Sequence, residues 1–475
     1  MAMSFTTRTT LMSHQRAAVA KVLSSRIGGL LMEMGTGKTR VAIELAKLRA
    51  HKTSRVVVFC PVSLKLTWRD EIQKHTDCAP ESIHVFDEHT SERRLPSAFW
   101  VIVGIESMSA SDRVALAINA LMDDRTFAIV DESAYLKNPR AMRTARITEY
   151  SQIARYRMVM TGQPLSNGVK DLYAQMRFLS PKILGHNSFW SFANNHLEYH
   201  PKYPGLVVRA HKTDLLAAKM GPYVYQVTRD ECLDLPGKIY KRRYFYRTDA
   251  QRDAYEQAKL ELLSLDSFNE WESLYAIFRL FTALQQITSG FWSRRAGNGA
   301  PLEQIEFPHR RLDCLADVLR EIPSSEKVII WAKYHHDIQG ITQRLAAEFA
   351  TDGVAFYHGG IKESARAAEL ARFRSEARFL LATPGTGAHG LTLNEAGHHV
   401  FYNNSFKYAE RLQAEDRSYR IGQTRPLFCW DIVCADTIDE RILRAQAQKE
   451  NVADAFRREV EKVKGDGLKE RLMAL

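Results

Sequence analysis

Apolar positions along this chain fall into short unbroken runs separated by longer amphipathic stretches. Gly29-Leu30-Leu31-Met32 is the first run, and Val41 to Ala46 follows it with helical spacing. The pattern repeats at Arg55-Val56-Val57-Val58-Phe59-Cys60, Phe99 to Ile105, Phe127 to Val130 and Met158 to Met160. A continuous run of this kind reads as a strand buried on both faces. Leu11 to about Ser24, Pro61 to Ile72 and Leu172 to Leu179 read as helices. Strands alternating with helices predict an α/β chain built on a parallel sheet.

Residues 186–305 break the alternation. Phe189 to Phe192 and Tyr255 to Phe281 are rich in Leu, Phe and Tyr, which predicts a helical insertion with its own small core. Gly297-Asn298-Gly299-Ala300-Pro301 marks a loop and a plausible boundary. The alternation then resumes. Lys327 to Ala332, Val354 to Gly360, Arg378 to Thr383 and Val400 to Asn403 read as strands, with a helix over Ile338 to Phe349. A second parallel sheet is expected there.

Candidate chemistry starts in the loop after the first strand, Glu33-Met34-Gly35-Thr36-Gly37-Lys38-Thr39. Gly35 and Gly37 allow a tight turn whose N–H groups point inward at a phosphate. Lys38 supplies charge for the β- and γ-phosphates of ATP, and the Thr39 hydroxyl suits Mg²⁺. The helix that follows places the anion at a helix N-terminus. Met32 stands where the strict motif has Gly, and a glycine-rich turn with a surface lysine is the alternative. Asp131-Glu132 follows directly on the apolar run Phe127 to Val130. Asp131 suits Mg²⁺, a hard cation that takes oxygen ligands, and Glu132 suits orientation of an attacking water. Gln15 suits an adenine edge, since an amide both donates and accepts, though a polar helix start explains it equally. Ser63, Lys65 and Thr67 follow a strand end where ligands sit in such sheets. Capping by Ser63 and a core role for Trp68 are the plainer readings. Arg417 and Arg420 are spaced i, i+3 and so are expected on one helix face, suited to polyphosphate; a salt-bridged surface helix is the alternative.

Composition narrows the class. The 475 residues are 45% hydrophobic and 25% charged, ordinary for a globular chain with room for two to four domains. Lys and Arg exceed Asp and Glu by 66 to 55, a formal charge of +11 that permits nucleic acid as a partner. None of the six cysteines forms C-x-x-C, so neither a zinc site nor a disulfide framework is legible. No apolar run approaches the ~18 residues of a membrane span, and no signal peptide is seen. A cytoplasmic protein is expected.

Taken together, Gln15, Met34 to Thr39, Pro61-Val62-Ser63-Leu64, Asp131 to Asn138 and Thr161-Gly162-Gln163-Pro164-Leu165-Ser166-Asn167 resemble the Swi/Snf-type ATPases of helicase superfamily two. Gln413-Ala414-Glu415-Asp416-Arg417-Ser418-Tyr419-Arg420-Ile421-Gly422-Gln423 resembles the family's sixth motif. Ser133-Ala134 depart from the family's usual Ala-His or Gly-His.

The resemblance implies two RecA-like parallel-sheet lobes, residues 1–185 and 306–475, with a helical insertion and connector over 186–305. The connector is expected around Tyr225 to Arg229 and Leu235 to Lys238. It implies an ATP site of Gln15, Met34, Gly35, Thr36, Gly37, Lys38 and Thr39, with Thr39 and Asp131 on Mg²⁺. Catalytic roles fall to Lys38, Asp131, Glu132, Gln413, Arg417 and Arg420. Thr383, Gly387 and Gly390 resemble its fifth motif. Ser63, Lys65, Thr161, His358, Gly359, Arg366 and Thr383 are implied to meet DNA, mainly its backbone and with weak sequence preference. The implied activity is a DNA-stimulated ATPase moving on duplex or branched DNA. A strand-separating helicase and a nucleotide-gated binding or annealing module are the alternatives. With no readable chromatin-reader or nuclease module, a bacterial or phage protein of replication, recombination or repair is expected. It would act as a monomer and could be recruited by a replication or recombination protein.

Overall fold

The structure, a computed structural model, describes residues 4–162, 164–165, 168–201, 207–263, 270–295, 302–349, 352–387 and 391–448. Gln163, Ser166, Asn167, residues 297–301, Gly390 and residues 449–475 lie outside these residues. The chain divides into two compact units, Met1–Leu235 and Pro236–Leu475.

In the first unit, strands β1 (Ile27–Met32), β2 (Arg55–Cys60), β3 (Ile83–Val85), β4 (Trp100–Gly104), β5 (Thr126–Asp131) and β6 (Tyr156–Met160) lie in one sheet. A hairpin of β7 (Leu197–Tyr199) and β8 (Val207–Ala210) precedes β9 (Val224–Val227), which joins that sheet. The order is β3-β4-β2-β5-β6-β1-β9, and every described pairing in it is parallel. Alternation puts Val57 and Phe59 of β2 into one core and Val56 and Val58 into the other, so helices cover both faces. Strand β9, which takes in Tyr225 to Val227 of the expected connector, is the edge strand beside β1.

The second unit holds β10 (Lys238–Phe245), a hairpin of β11 (Phe291–Arg295) and β12 (Leu302–Glu306), then β13 (Lys327–Trp331), β14 (Val354–Tyr357), β15 (Phe379–Ala382), β16 (Ala396–Phe401) and β17 (Leu427–Cys434). Its main sheet runs β10-β17-β16-β13-β15-β14, again with parallel pairings. β10 contains the basic run Lys241-Arg242-Arg243 and reads as solvated surface in sequence. It is an edge strand, paired over eight residues with β17. Helices Asp249–Leu263 and Glu270–Thr288 pack with Ile438–Ala447 around Tyr255, Leu284, Trp292 and Ile442, so this core is shared with residues beyond the expected insertion, while Phe192 and Leu216 of its first part pack in the core of the first unit.

Ile129 sits fully buried in β5, the central strand of the first sheet. Ile129→Ala should cost about 2–5 kcal/mol of the first unit's stability, read as a fall in its denaturation midpoint.

Candidate nucleotide-binding site

Three adjacent strands carry the site. β5, β6 and β1 are neighbours, with Asp131 paired to Met160 and Leu30 to Met160. Parallel pairing makes all three end at one edge. The phosphate loop, the acidic pair and the turn after β6 therefore emerge side by side.

In the loop, Gly35 and Gly37 take φ of 81° and 85°, the left-handed region where a side chain would strain the backbone. Helix Lys38–Arg49 follows directly. The fully buried Thr36 folds back, its hydroxyl donating to the Glu33 carbonyl at 2.8 Å. The Lys38 ammonium donates to the Met32 and Glu33 carbonyls at 2.9 and 3.3 Å, which parks its charge over the loop. Gln15 is buried; its amide donates to the Thr36 carbonyl at 3.2 Å and accepts from Met12 N–H at 3.0 Å. His14 meets the same carbonyl at 2.8 Å. Helix Ser13–Leu23 thus braces the loop from outside. Met34 lies against the turn after β6: a Cβ on Gly162 would sit 3.1 Å from Met34 N. Thr39 is half-buried in the first turn of the following helix.

Asp131 is buried at the end of β5. Its Oδ2 accepts the Trp68 indole N–H at 2.8 Å and its Oδ1 accepts the Glu132 backbone N–H at 2.9 Å. Burial raises its pKa to about 6, and the Glu132 charge adds to the rise, while Lys38 and Trp68 oppose it. Glu132 adopts φ 50°, unusual for a residue with a side chain, at a cost of roughly 1–3 kcal/mol. The Asp131 carboxylate and Thr39 hydroxyl are both hard oxygen donors, a set that fits Mg²⁺. Sequence reasoning gave Trp68 a core role. It is in the core, and it also holds the carboxylate, a contact spanning 63 residues that no local pattern signals.

Ser63 lies half-buried in the turn Val62–Leu64 rather than capping the helix Lys65–His75, whose N-cap is Leu64. The Lys65 ammonium donates to the Phe86 carbonyl at 3.1 Å. Thr161 is fully buried after β6, so its hydroxyl is not presented at the surface.

In the second unit the arginines depart from expectation. Helix Tyr408–Glu415 ends before them, so Arg417 and Arg420 share no helix face. Past Glu415 the chain tightens: Arg417 and Ser418 N–H bond to the carbonyls of Ala414 and Glu415 three residues back. The Ser418 hydroxyl then donates to the Leu393 carbonyl at 2.7 Å and lies 2.8 Å from His399 Nε2, which anchors the turn sideways. The two guanidiniums still converge, Arg420 on the Leu391 carbonyl at 3.0 Å and Arg417 on the same atom at 3.4 Å. Arg417 also donates to the Gln413 carbonyl at 2.9 Å, which joins all three predicted residues.

His358, Gly359 and Arg366 come together as well. His358 Nδ1 accepts Gly360 N–H at 3.2 Å, and the Arg366 guanidinium donates to the Ile361 carbonyl at 3.0 Å while lying 5.7 Å from the Tyr357 ring centre. Thr383 joins them, its N–H donating to the Tyr357 carbonyl at 3.3 Å.

The SNF2-related domain matches residues 13–289. This chain belongs to the SNF2-related family. The helicase conserved C-terminal domain matches residues 310–422. Over 418 residues the chain is 26% identical to the Homo sapiens DNA annealing helicase and endonuclease ZRANB3, covering 86% of this chain and 36% of that one. It is 24% identical over 514 residues to the ATP-dependent helicase fft1 of Schizosaccharomyces pombe, covering 92% and 52%. The chain therefore spans about half or less of the length of these relatives. The Pyrococcus furiosus Hef helicase domain shares the fold, with TM-score 0.55, 14% identity, and coverage of 91% of this chain and 97% of that one. This SNF2-related chain is of the Swi/Snf type within helicase superfamily two. Among the described residues no helix is long and apolar enough to cross a membrane.

Trp68→Phe keeps most of the ring and removes the donor to Asp131. The carboxyl should then titrate higher, moving the acidic limb of the pH–rate profile to higher pH. Turnover should fall about tenfold, the loss expected of one hydrogen bond to a charged group.

Proposed function

We propose that this ATPase is a motor that moves along duplex or branched DNA in replication, recombination or repair. The observation that carries the reading is the convergence at one sheet edge of the phosphate loop, Asp131-Glu132 and the turn after β6. In this reading the amides of residues 34–39 and the Lys38 ammonium bind the β- and γ-phosphates, with Gln15 toward the adenine. Thr39 and Asp131 hold Mg²⁺, which neutralises phosphate charge when bound. Glu132 orients the attacking water. Gln413 lies near the nucleotide, and Arg417 and Arg420 meet the γ-phosphate as its charge develops. Arginines so placed are worth about 10³–10⁵ in rate in other phosphoryl-transfer enzymes.

Ser63, Lys65 and the Thr161 turn, and separately His358, Gly359, Arg366 and Thr383, are the residues that meet DNA in this reading, by its backbone. Phosphates are sequence-blind, so binding is salt-sensitive and nearly indifferent to base order. The chain acts as a monomer in this reading, recruited by a replication or recombination protein.

The test measures ATP hydrolysis with no nucleic acid, single strands, duplex and a branched junction, with Glu132→Gln as control. Duplex or junction should stimulate turnover, and the control should abolish it. Stimulation by single strands alone would favour strand separation. An unstimulated enzyme would sink the motor reading. Raising salt from about 50 to 200 mM should remove the stimulation while basal hydrolysis persists; salt-insensitive stimulation would contradict backbone contact.

A further inference from the structure

Directly after the acidic pair, the fully buried Ser133 donates its hydroxyl to Gln175 Oε1 at 2.7 Å. Gln175 is fully buried in the helix Leu172–Leu179. Its amide nitrogen donates to the Pro164 carbonyl and to the Asp171 carbonyl, each at 2.9 Å. Pro164 lies in the turn that leaves β6, two residues past the Gly162 that packs against Met34 of the phosphate loop. One buried amide therefore ties the residue beside Glu132 to the turn that abuts the phosphate loop.

This arrangement needs a reason. Six of the seven other side chains of that helix are apolar or aromatic and buried, and a leucine would fill the position without polar atoms to satisfy. A buried glutamine is retained at no cost only if its bonds are made, and here one of them goes outside its own helix to each of the two catalytic loops. At the other end stands Glu132, whose left-handed φ of 50° leaves its carboxylate direction set by the backbone on either side.

We propose that Gln175 and Ser133 are positioning residues that couple the turn after β6 to Glu132. A shift of that turn moves the Pro164 carbonyl, Gln175 follows it, and Ser133 transmits the movement to the strained backbone at Glu132. The Glu132 carboxylate then swings toward or away from the line of the attacking water. Neither residue touches the nucleotide. The proposal rests on the DNA-stimulated reading above, in which DNA moves the turn that begins at Thr161.

Ser133→Ala cuts the link at the acidic end and leaves the bonds to Pro164 and Asp171 in place. Its ratio of duplex-stimulated to basal turnover should fall at least about tenfold, a loss of the order that small misplacements of a reacting group produce. The KM for ATP should stay within about twofold, because the phosphate loop is untouched. Gln175→Met reads the same link from the other side, and the double variant should be no worse than Gln175→Met alone, since linked residues are non-additive. Melting temperatures are recorded beside the rates. A stimulated wild type with an equally stimulated Ser133→Ala would overturn the relay alone. Additive losses, or failure of all three variants to fold, would make the contact merely structural and also overturn it. An unstimulated wild type would sink the DNA reading, and the relay with it.

Discussion

Everything in the first unit follows from the parallel pairing of β5 with β6 and of β6 with β1. Parallel neighbours must leave the sheet at the same edge, and their return connections must cross its faces. The loops at that edge are thereby brought side by side, while the strands beneath are locked by Val58, Ile129 and Met158 in one core and Val57, Val130 and Val159 in the other. A rigid floor with three adjacent loops is what a phosphate site needs, because positioned amides and charges do not have to reorganise.

The floor also creates an electrostatic difficulty. Asp131 leaves the sheet buried, beside a second carboxylate, and both conditions disfavour its charge. Lys38 and the Trp68 indole oppose them, and a bound divalent cation would complete the compensation. The ammonium resting on loop carbonyls and the carboxylate whose charge burial disfavours describe a site in which each charge is only partly satisfied by protein. Such a site favours a ligand that brings phosphate and metal together.

The second unit uses a different device. Arg411 is buried between Glu415 and Asp431, with its guanidinium 3.4 Å from the Phe401 ring centre. Burial alone would raise the Glu415 carboxyl, but Arg411 and then Lys238 hold it well below the usual carboxylate range. Lys238 starts β10 and reaches Glu415 at 2.7 Å, so the edge strand, β17 and the base of the arginine turn are joined by one charge network. Removing one member of such a network strands the others and costs about 3–5 kcal/mol. With Ser418 pinned to Leu393, that network holds the turn on which Arg417 and Arg420 converge.

Much of this was legible in the residues taken in order. Continuous apolar runs marked β2, β4 and β5, because a strand covered on both faces tolerates no polar position. Gly35 and Gly37, Lys38 and Asp131-Glu132 were legible because phosphate chemistry needs particular groups at short spacing. β10 was not: an edge strand paired on one side keeps its exposed Lys and Arg, and only β17 makes it a strand. Nor was the end of the helix before Arg417, which is set by Ser418 reaching a carbonyl 25 residues away. Trp68 on Asp131 and Gln175 on Ser133 join residues 63 and 42 positions apart. Local composition and period carry information about burial and about contiguous motifs. Which buried polar atoms find each other is decided only when the chain closes, because each such bond forms where desolvation leaves no water as an alternative partner.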